Sequence, residues 1–582
     1  MTIQLAIGKQ LVITSKIDQF HGAPALFIDG EPVTPMAYMT YLDERGCYAA
    51  FRKAGYRLFS MTVFFSDRPT NNFSKVGPFA PGFFSRKGEV DFSDFDARVN
   101  RLLAQVPDAL IFPRVNTAMP TWWEEENPQE CTFPGPKDHT PRYCFASDSY
   151  RAEVKRLMGI FLDHLKNAPY SDHFFGIQVA GGQTEEFLSF DEYGNDGPRA
   201  REKFQRDFPN GTQNDYRRFL SRMTAEAILD LAKFTKDAIG RDHVVGSFYG
   251  YLFETINWTS GHHALRMLLN SPDIDFLCSP ISYGRRLEPG LSWYWMLPMA
   301  SIAAHGKLYF LEADVRTHGA AALPDVRPSA CPKNMVQAFH SGVWVGPATE
   351  KESIWHLQMT FLRQMAKAHA SWWFDMWGKW YDTSETMKNM AEFHRLATLF
   401  LQTPDRSSVA ECAAWIDEAA LADAASEEDM LCSGHGRGAL EQSGVPVDYY
   451  EIGDFEQQAG KYRCMFFFVS ADSPALERAR DYCRSHGIPF MDFVGAQDID
   501  SAEVRALAEK AGAFCYCRDH NAAVYAGKNL IGICAPETGT YTLQIPEARR
   551  WIPLFDQDKE EFTGTKTVLA LEQSEVAAFF LQ

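Results

Sequence analysis

Three acidic side chains sit where apolar, strand-like runs give way to polar residues: Glu185 and Glu186 in FFGIQVAGGQTEEF, and Glu312 in KLYFLEADVRTH. Two carboxyl groups facing one another across a site can cleave a glycosidic bond. One, kept protonated, gives its proton to the leaving oxygen, and the other, ionised, attacks the sugar or activates a water. Burial and a neighbouring negative charge keep a carboxylic acid protonated near neutral pH. Glu185 and Glu186 are adjacent and point in different directions, so at most one of them faces such a site. Glu312 is the candidate nucleophile. Asp314, Arg316 and His318 follow it closely and supply a network able to hold it ionised.

The elements that must position these groups are legible as apolar runs. They lie at 32–40, 56–63, 109–116, 173–182, 243–253, 275–283, 307–314 and 370–378. Near-continuous apolar runs suit strands buried on both faces. Helical patterns separate them. Phe95, Val99, Leu102, Leu103 and Val106 recur at helical spacing until Pro107, and a long stretch at 213–239 ends at Gly240. Eight strands alternating with helices predict a (β/α)8 TIM barrel, whose chemistry sits at the C-terminal ends of its strands. On that count Glu185 and Glu186 end the fourth strand, and Glu312 ends the seventh. The largest insertions fall at 64–92, 117–147 and 315–350.

The barrel, with a short β segment before it, takes residues 1–400. Alternation restarts after LQTPDRSS and predicts a smaller, flavodoxin-like parallel α/β domain over 401–525. Short β runs then predict an antiparallel β domain over 526–582.

Other candidate residues close the remaining strands. Arg114 and Asn116 end the third and suit sugar hydroxyls or the orientation of a carboxylate. Trp122 and Trp123, in the loop after it, offer an aromatic wall, and Tyr283 ends the sixth strand. On the eighth, alternation sends Trp373, Asp375 and Trp377 to one side and Trp372 and Phe374 to the other. Which side faces the interior stays open.

The order of barrel, α/β domain and β domain, together with the segments 173–187, 307–318 and 370–382, resembles glycoside hydrolase family 42 and its clan A relatives, the β-galactosidase-type enzymes. The opening APALFIDGEPVTPMAYMT is similar to the entry into their first strand, and VPVDYYEIGDFEQQAGKYRCMFFFVS resembles their trimerisation domain. Those families place Asn before the acid/base Glu, whereas this chain reads Gly-Gly-Gln-Thr-Glu-Glu-Phe and so resembles a divergent member. Thr184, Glu186 and Phe187 resemble the TGEW-like segment of some clan A relatives, which favours Glu186 as acid/base with Glu185 as the alternative. Gln183 would replace the missing Asn as a donor to the sugar 2-hydroxyl. The resemblance further implies retention through a covalent glycosyl-enzyme, a tyrosine such as Tyr283 bonded to the nucleophile, a tryptophan of the eighth strand flooring the sugar subsite, and a homotrimer. The substrate it implies is a terminal β-galactoside first, then a β-mannoside or β-glucoside.

Composition narrows the partners. With 57 Lys and Arg against 75 Asp and Glu, the formal charge of −18 argues against nucleic acid and anionic membrane. The start, MTIQLAIGKQ, lacks a signal-peptide pattern and no apolar run is long enough to span a bilayer, so a cytoplasmic protein is expected. Aromatic residues make up 14%, and ring faces suit the C–H faces of sugars. No cofactor and no metal are expected. His262 and His263 with Glu254 lack HExxH spacing and a third ligand, and no phosphate-binding glycine motif occurs. Three readings stand beside the hydrolase: a non-catalytic carbohydrate-binding protein, a transglycosylase or phosphorylase using the same carboxylates, and an amidotransferase-like module at 405–525. The last needs a Cys nucleophile, and the strand end FFFVSADSP has none.

Overall fold

Each of the eight apolar runs contains a strand: Met36–Thr40, Leu58–Phe64, Leu110–Asn116, Gly176–Ala180, Val244–Phe248, Phe276–Pro280, Leu308–Ala313 and Ala370–Phe374. In the computed structural model these strands pair in parallel in chain order, and the eighth closes on the first with Ser371 opposite Met36. The structure describes residues 11–135, 140–182, 184–188, 194–254, 258–495, 497–556 and 559–582. Gln183 and the reading of residues 1–10 lie outside these.

Alternation along each strand fills the lumen. Phe112, Phe248, Phe276, Phe310 and Trp372, from five strands, meet across it, with Phe310 and Trp372 5.1 Å apart between ring centres. Gly246 makes room for this layer, since a Cβ there would lie 2.2 Å from the Phe276 ring. The helices outside include Ser93–Gln105 and Gln213–Ile239, the latter opened by a reciprocal Thr212–Asp215 cap.

The bottom of the barrel is covered by the hairpin Ser15–Phe20 and Ala23–Ile28. The Ser15 hydroxyl donates to the Phe175 carbonyl and accepts from the Val244 N–H at 2.9 Å. The segment leaving the barrel returns to this hairpin. Arg406 donates to the carbonyls of Phe20 (3.1 Å) and Pro24 (3.5 Å), and a ring nitrogen of His21 bonds the Thr403 carbonyl at 2.6 Å.

After the barrel, four parallel strands form a sheet in the order Val447–Glu451, Cys412–Ile416, Cys464–Val469 and Phe490–Val494. Five antiparallel strands between Ala523 and Leu581 form the last sheet. Arg266 ties the barrel to the α/β sheet through Glu451 and Asp454, both at 3.0 Å. All twelve cysteines are buried and unpaired. No helix among the described residues is long and apolar enough to cross a membrane.

Gly246→Ala should overpack the lumen. The expected cost is about 1–3 kcal/mol, read as a lower thermal midpoint. An unchanged midpoint would mean that the Phe276 ring is free to move aside.

Candidate active site

The third strand sends Phe112, Arg114 and Asn116 to the same side, so Arg114 rises from the aromatic layer toward the strand ends. Its guanidinium lies over Phe248 (4.7 Å), Phe374 (5.1 Å) and Trp372 (5.3 Å). One arm reaches Glu185 at 3.2 Å and the other bonds Glu312. Glu185 also accepts from Tyr41 Oη at 2.8 Å and from Asn116 Nδ2 at 3.4 Å. Glu185 is therefore fully engaged, 0% exposed, and absent from the cavity wall.

Glu186 has a different environment. It accepts from the hydroxyls of Thr184 (2.6 Å) and Tyr251 (2.8 Å), both neutral donors. Its carboxyl lines a cavity of about 400 Å³ together with Glu312. Burial raises Glu186 well above the usual carboxylate range, and the charge of Glu312 raises it further. Burial raises Glu312 too, but Arg114 opposes the rise. Both stay above the usual carboxylate range, and the Arg114 guanidinium makes Glu312 the more readily ionised of the two.

The backbone makes adjacent glutamates diverge. After the fourth strand ends at Ala180, φ is positive at Gly182 (71°), Thr184 (49°), Glu185 (72°) and Phe187 (53°). A Cβ on Gly182 would meet the Phe187 Cα at 2.8 Å, so the turn needs glycine there. The Phe187 N–H donates to the Gly181 carbonyl (2.7 Å), and the Gly182 N–H donates to Tyr143 Oη (2.9 Å). Non-glycine residues in this region store strain, which the surrounding bonds sustain.

A second buried network stands beside the first. Asp314 accepts from Tyr283 Oη (2.6 Å) and pairs with Arg286 and Arg316, each at 2.7 Å. Burial alone would raise Asp314, but the two arginines hold it below the usual carboxylate range. Tyr283 thus bonds Asp314, whereas the resemblance implied a bond to the nucleophile. Arg316 lies within this network and under Trp344, 4.7 Å from its ring. His318 bonds Ser353 through its backbone and is absent from the cavity wall.

Several expected site residues lie elsewhere. Trp372 and Phe374 face the lumen, so Trp373 and Asp375 face outward. Trp373 donates to Tyr56 Oη at 2.9 Å and stacks on Phe393 of the helix Ser384–Leu401. Asp375 accepts from Tyr38 Oη and from the N–H groups of Lys379 and Trp380, which builds the turn after the strand. Strand pairing ends at Phe374, and that turn swings Trp377 back into the cavity wall. Trp122 donates to the Phe84 carbonyl at 2.8 Å and Trp123 is buried in the core, so both anchor their loop. The insertion 117–147 gives the cavity no lining residue among those described. It supports the turn after the fourth strand through Tyr143.

The walls come instead from 70–79 and 335–344, with Met376 and Trp377. Tyr41 and Tyr251, just beyond the first and fifth strands, are functional candidates that strand counting passed over. A tyrosine placed directly after a buried strand was the available signal, as at Tyr283. His262 supports Tyr251 by accepting its N–H at 3.2 Å and stacks on Tyr249. Burial pushes His262 down to about 3, so it stays neutral. Among the described residues no cluster of His, Cys, Asp and Glu could hold a metal ion.

Two expectations follow. The folded protein holds the Glu186 proton more tightly than the unfolded chain does. The stability this gives is full below the unfolded carboxyl pKa of about 4.3 and is lost as pH rises through the folded value. Glu186→Gln should therefore raise the melting temperature more at about pH 9 than at about pH 5. An equal shift at both would mean that Glu186 does not change its ionisation between the two. Arg114→Met strands two buried carboxylates and should cost about 3–5 kcal/mol by chemical denaturation. Adding Glu185→Gln should recover part of that loss, and a mild effect of Arg114→Met would show the carboxylates to be hydrated.

No protein-family model and no curated protein matches this sequence. Solved structures do match its fold along nearly the whole chain. A β-galactosidase from the psychrophilic Marinomonas ef1 aligns with a TM-score of 0.61 at 12% identity, over 94% of this chain and 100% of its own. A β-galactosidase from Bacillus circulans sp. alkalophilus aligns at 0.60 and 12%, over 94% and 99%. A family 42 exo-carrageenase from Bacteroides ovatus aligns at 0.59 and 12%, over 99% and 85%. The chain has the fold of family 42 glycoside hydrolases, as its sequence resemblance implied.

Proposed function

We propose that this protein is a retaining exo-β-glycosidase, with Glu186 as acid/base and Glu312 as nucleophile. One observation carries the reading: two buried carboxyls converge on a single cavity with different partners, neutral hydroxyls on Glu186 and a guanidinium on Glu312. Glu186, held by neutral hydroxyls beside a charged neighbour, keeps its proton for the leaving oxygen. Glu312, bonded by Arg114, is the more easily ionised. In the first step Glu312 attacks the anomeric carbon while Glu186 protonates the departing oxygen. In the second, Glu186 takes a proton from water, which attacks the same carbon and releases Glu312. Thr70, Asn71 and Ser74 supply one polar wall for ring hydroxyls, and Trp377 a ring face. Asn116 and Arg114 act on Glu185 and Glu312, holding the carboxylates in place for the sugar.

A terminal β-galactosyl unit is the first glycone to test, followed by β-mannosyl and β-glucosyl. The same reading includes a cytoplasmic homotrimer assembled through the domain at 401–525, testable by sedimentation. It also includes the division at 400 and 525, testable by limited proteolysis.

The deciding experiment is a panel of nitrophenyl α- and β-glycosides. One β-glycoside should be turned over by the parent, and Glu312→Gln should lose about 10³-fold or more in kcat. Glu186→Ala should slow poor leaving groups far more than activated nitrophenolates. If Glu185→Ala shows that leaving-group signature instead, the acid/base is the other glutamate. Inversion in the first-formed sugar, seen by NMR, would overturn retention.

A further inference from the structure

The lining of the cavity is divided. Glu186, Glu312, Thr184, Tyr251 and Tyr283 come from the strand ends, with Thr70, Asn71 and Ser74 beside them. Apart from Tyr41, and Trp377 already given to the sugar, the rest of the lining is apolar and includes Phe79, Met335, Phe339, Trp344 and Met376. Phe339 packs on Trp344 at 4.8 Å and edge-on to Trp377 at 6.0 Å, while Phe79 lies 5.4 Å from Trp377. The apolar character continues onto the adjoining surface of the same two insertions, where Phe73 (59%), Val336 (37%) and Val345 (51%) are exposed. No Lys or Arg lines the cavity among the described residues, and Arg316 behind Trp344 is already paired with Asp314.

A second sugar would have to leave several hydroxyls against this wall without partners, at a cost in desolvation for each. An apolar group meets no such cost. Met335 and Met376, unbranched and flexible, adapt to irregular apolar shapes. We propose that this site takes, beside its sugar, an apolar aglycone, an alkyl or aryl group, in place of a second sugar. The natural substrate class is then a neutral sugar β-linked to a hydrophobic alcohol or phenol. This inference rests on the glycosidase reading and specifies its substrate.

Methyl and octyl β-glycosides separate the two halves of the claim, because the two alcohols are nearly equal as leaving groups. Each pair is assayed by released sugar across galactose, glucose, mannose, fucose and xylose, alongside the matching glycosyl-glucose disaccharide. For the glycone that is turned over, octyl should exceed both methyl and disaccharide by about tenfold or more in kcat/KM. Phe339→Ala, and separately the half-buried Trp344→Ala, should pull the octyl-to-methyl ratio toward one, mainly through the KM of the octyl glycoside. A ratio near one in the parent, or a preference for the disaccharide, overturns the proposal. If nothing is turned over, octyl glycosides are titrated into the parent by tryptophan fluorescence. Binding that Phe339→Ala weakens would sink the glycosidase reading and leave the apolar subsite standing. No binding would sink both.

Discussion

A guanidinium with almost no exposure, held between two carboxylates, is the interaction on which the site depends. Arg114 stands on a floor of aromatic rings and grips Glu185 with one arm and Glu312 with the other. Taking an arginine out of water is costly, and only well-placed partners offset it. Here the partners come from the turn after the fourth strand and from the end of the seventh, so the pairing ties three parts of the barrel mouth together. Two glutamates side by side in the sequence thus do different work. One is spent on holding the arginine, and the other faces the cavity bonded only to hydroxyls.

The same division recurs one layer away. Asp314, two residues beyond Glu312, is saturated by Arg286, Arg316 and Tyr283, which holds the segment after the seventh strand against the sixth. The acidic groups of the barrel mouth therefore fall into two kinds. Glu185 and Asp314, paired with arginines, hold their segments in place, whereas Glu186 faces the cavity bonded only by hydroxyls.

Much of this was legible in the sequence. The eight apolar runs each contained a strand, because a strand buried on both faces cannot carry polar residues without losing its packing. Glu312 and Arg114 stood out as charges near the ends of such runs, and Glu186 as one shortly beyond. What the sequence hid was geometry beyond the strand ends. Alternation places Trp373, Asp375 and Trp377 on one side, yet pairing stops at Phe374 and the turn built on Asp375 reverses Trp377. Trp122 and Trp123 read as a sugar wall, and they bury themselves to fix a loop. Phe339 and Trp344, which do line the cavity, lie in a long insertion whose path no periodicity reports.

The contact between the hairpin and the segment leaving the barrel bears on how the chain is made. The first strand has no eighth neighbour until residue 374 has been synthesised, and the hairpin, bonded earlier through Ser15, lacks its second clasp until Arg406 follows. On the ribosome, an incomplete barrel therefore presents an open parallel edge through most of translation, and edges of that kind invite wrong pairing. Thr403 and Arg406 close that interval: they fasten the exit of the barrel to its entrance and precede the first strand of the α/β domain in the chain.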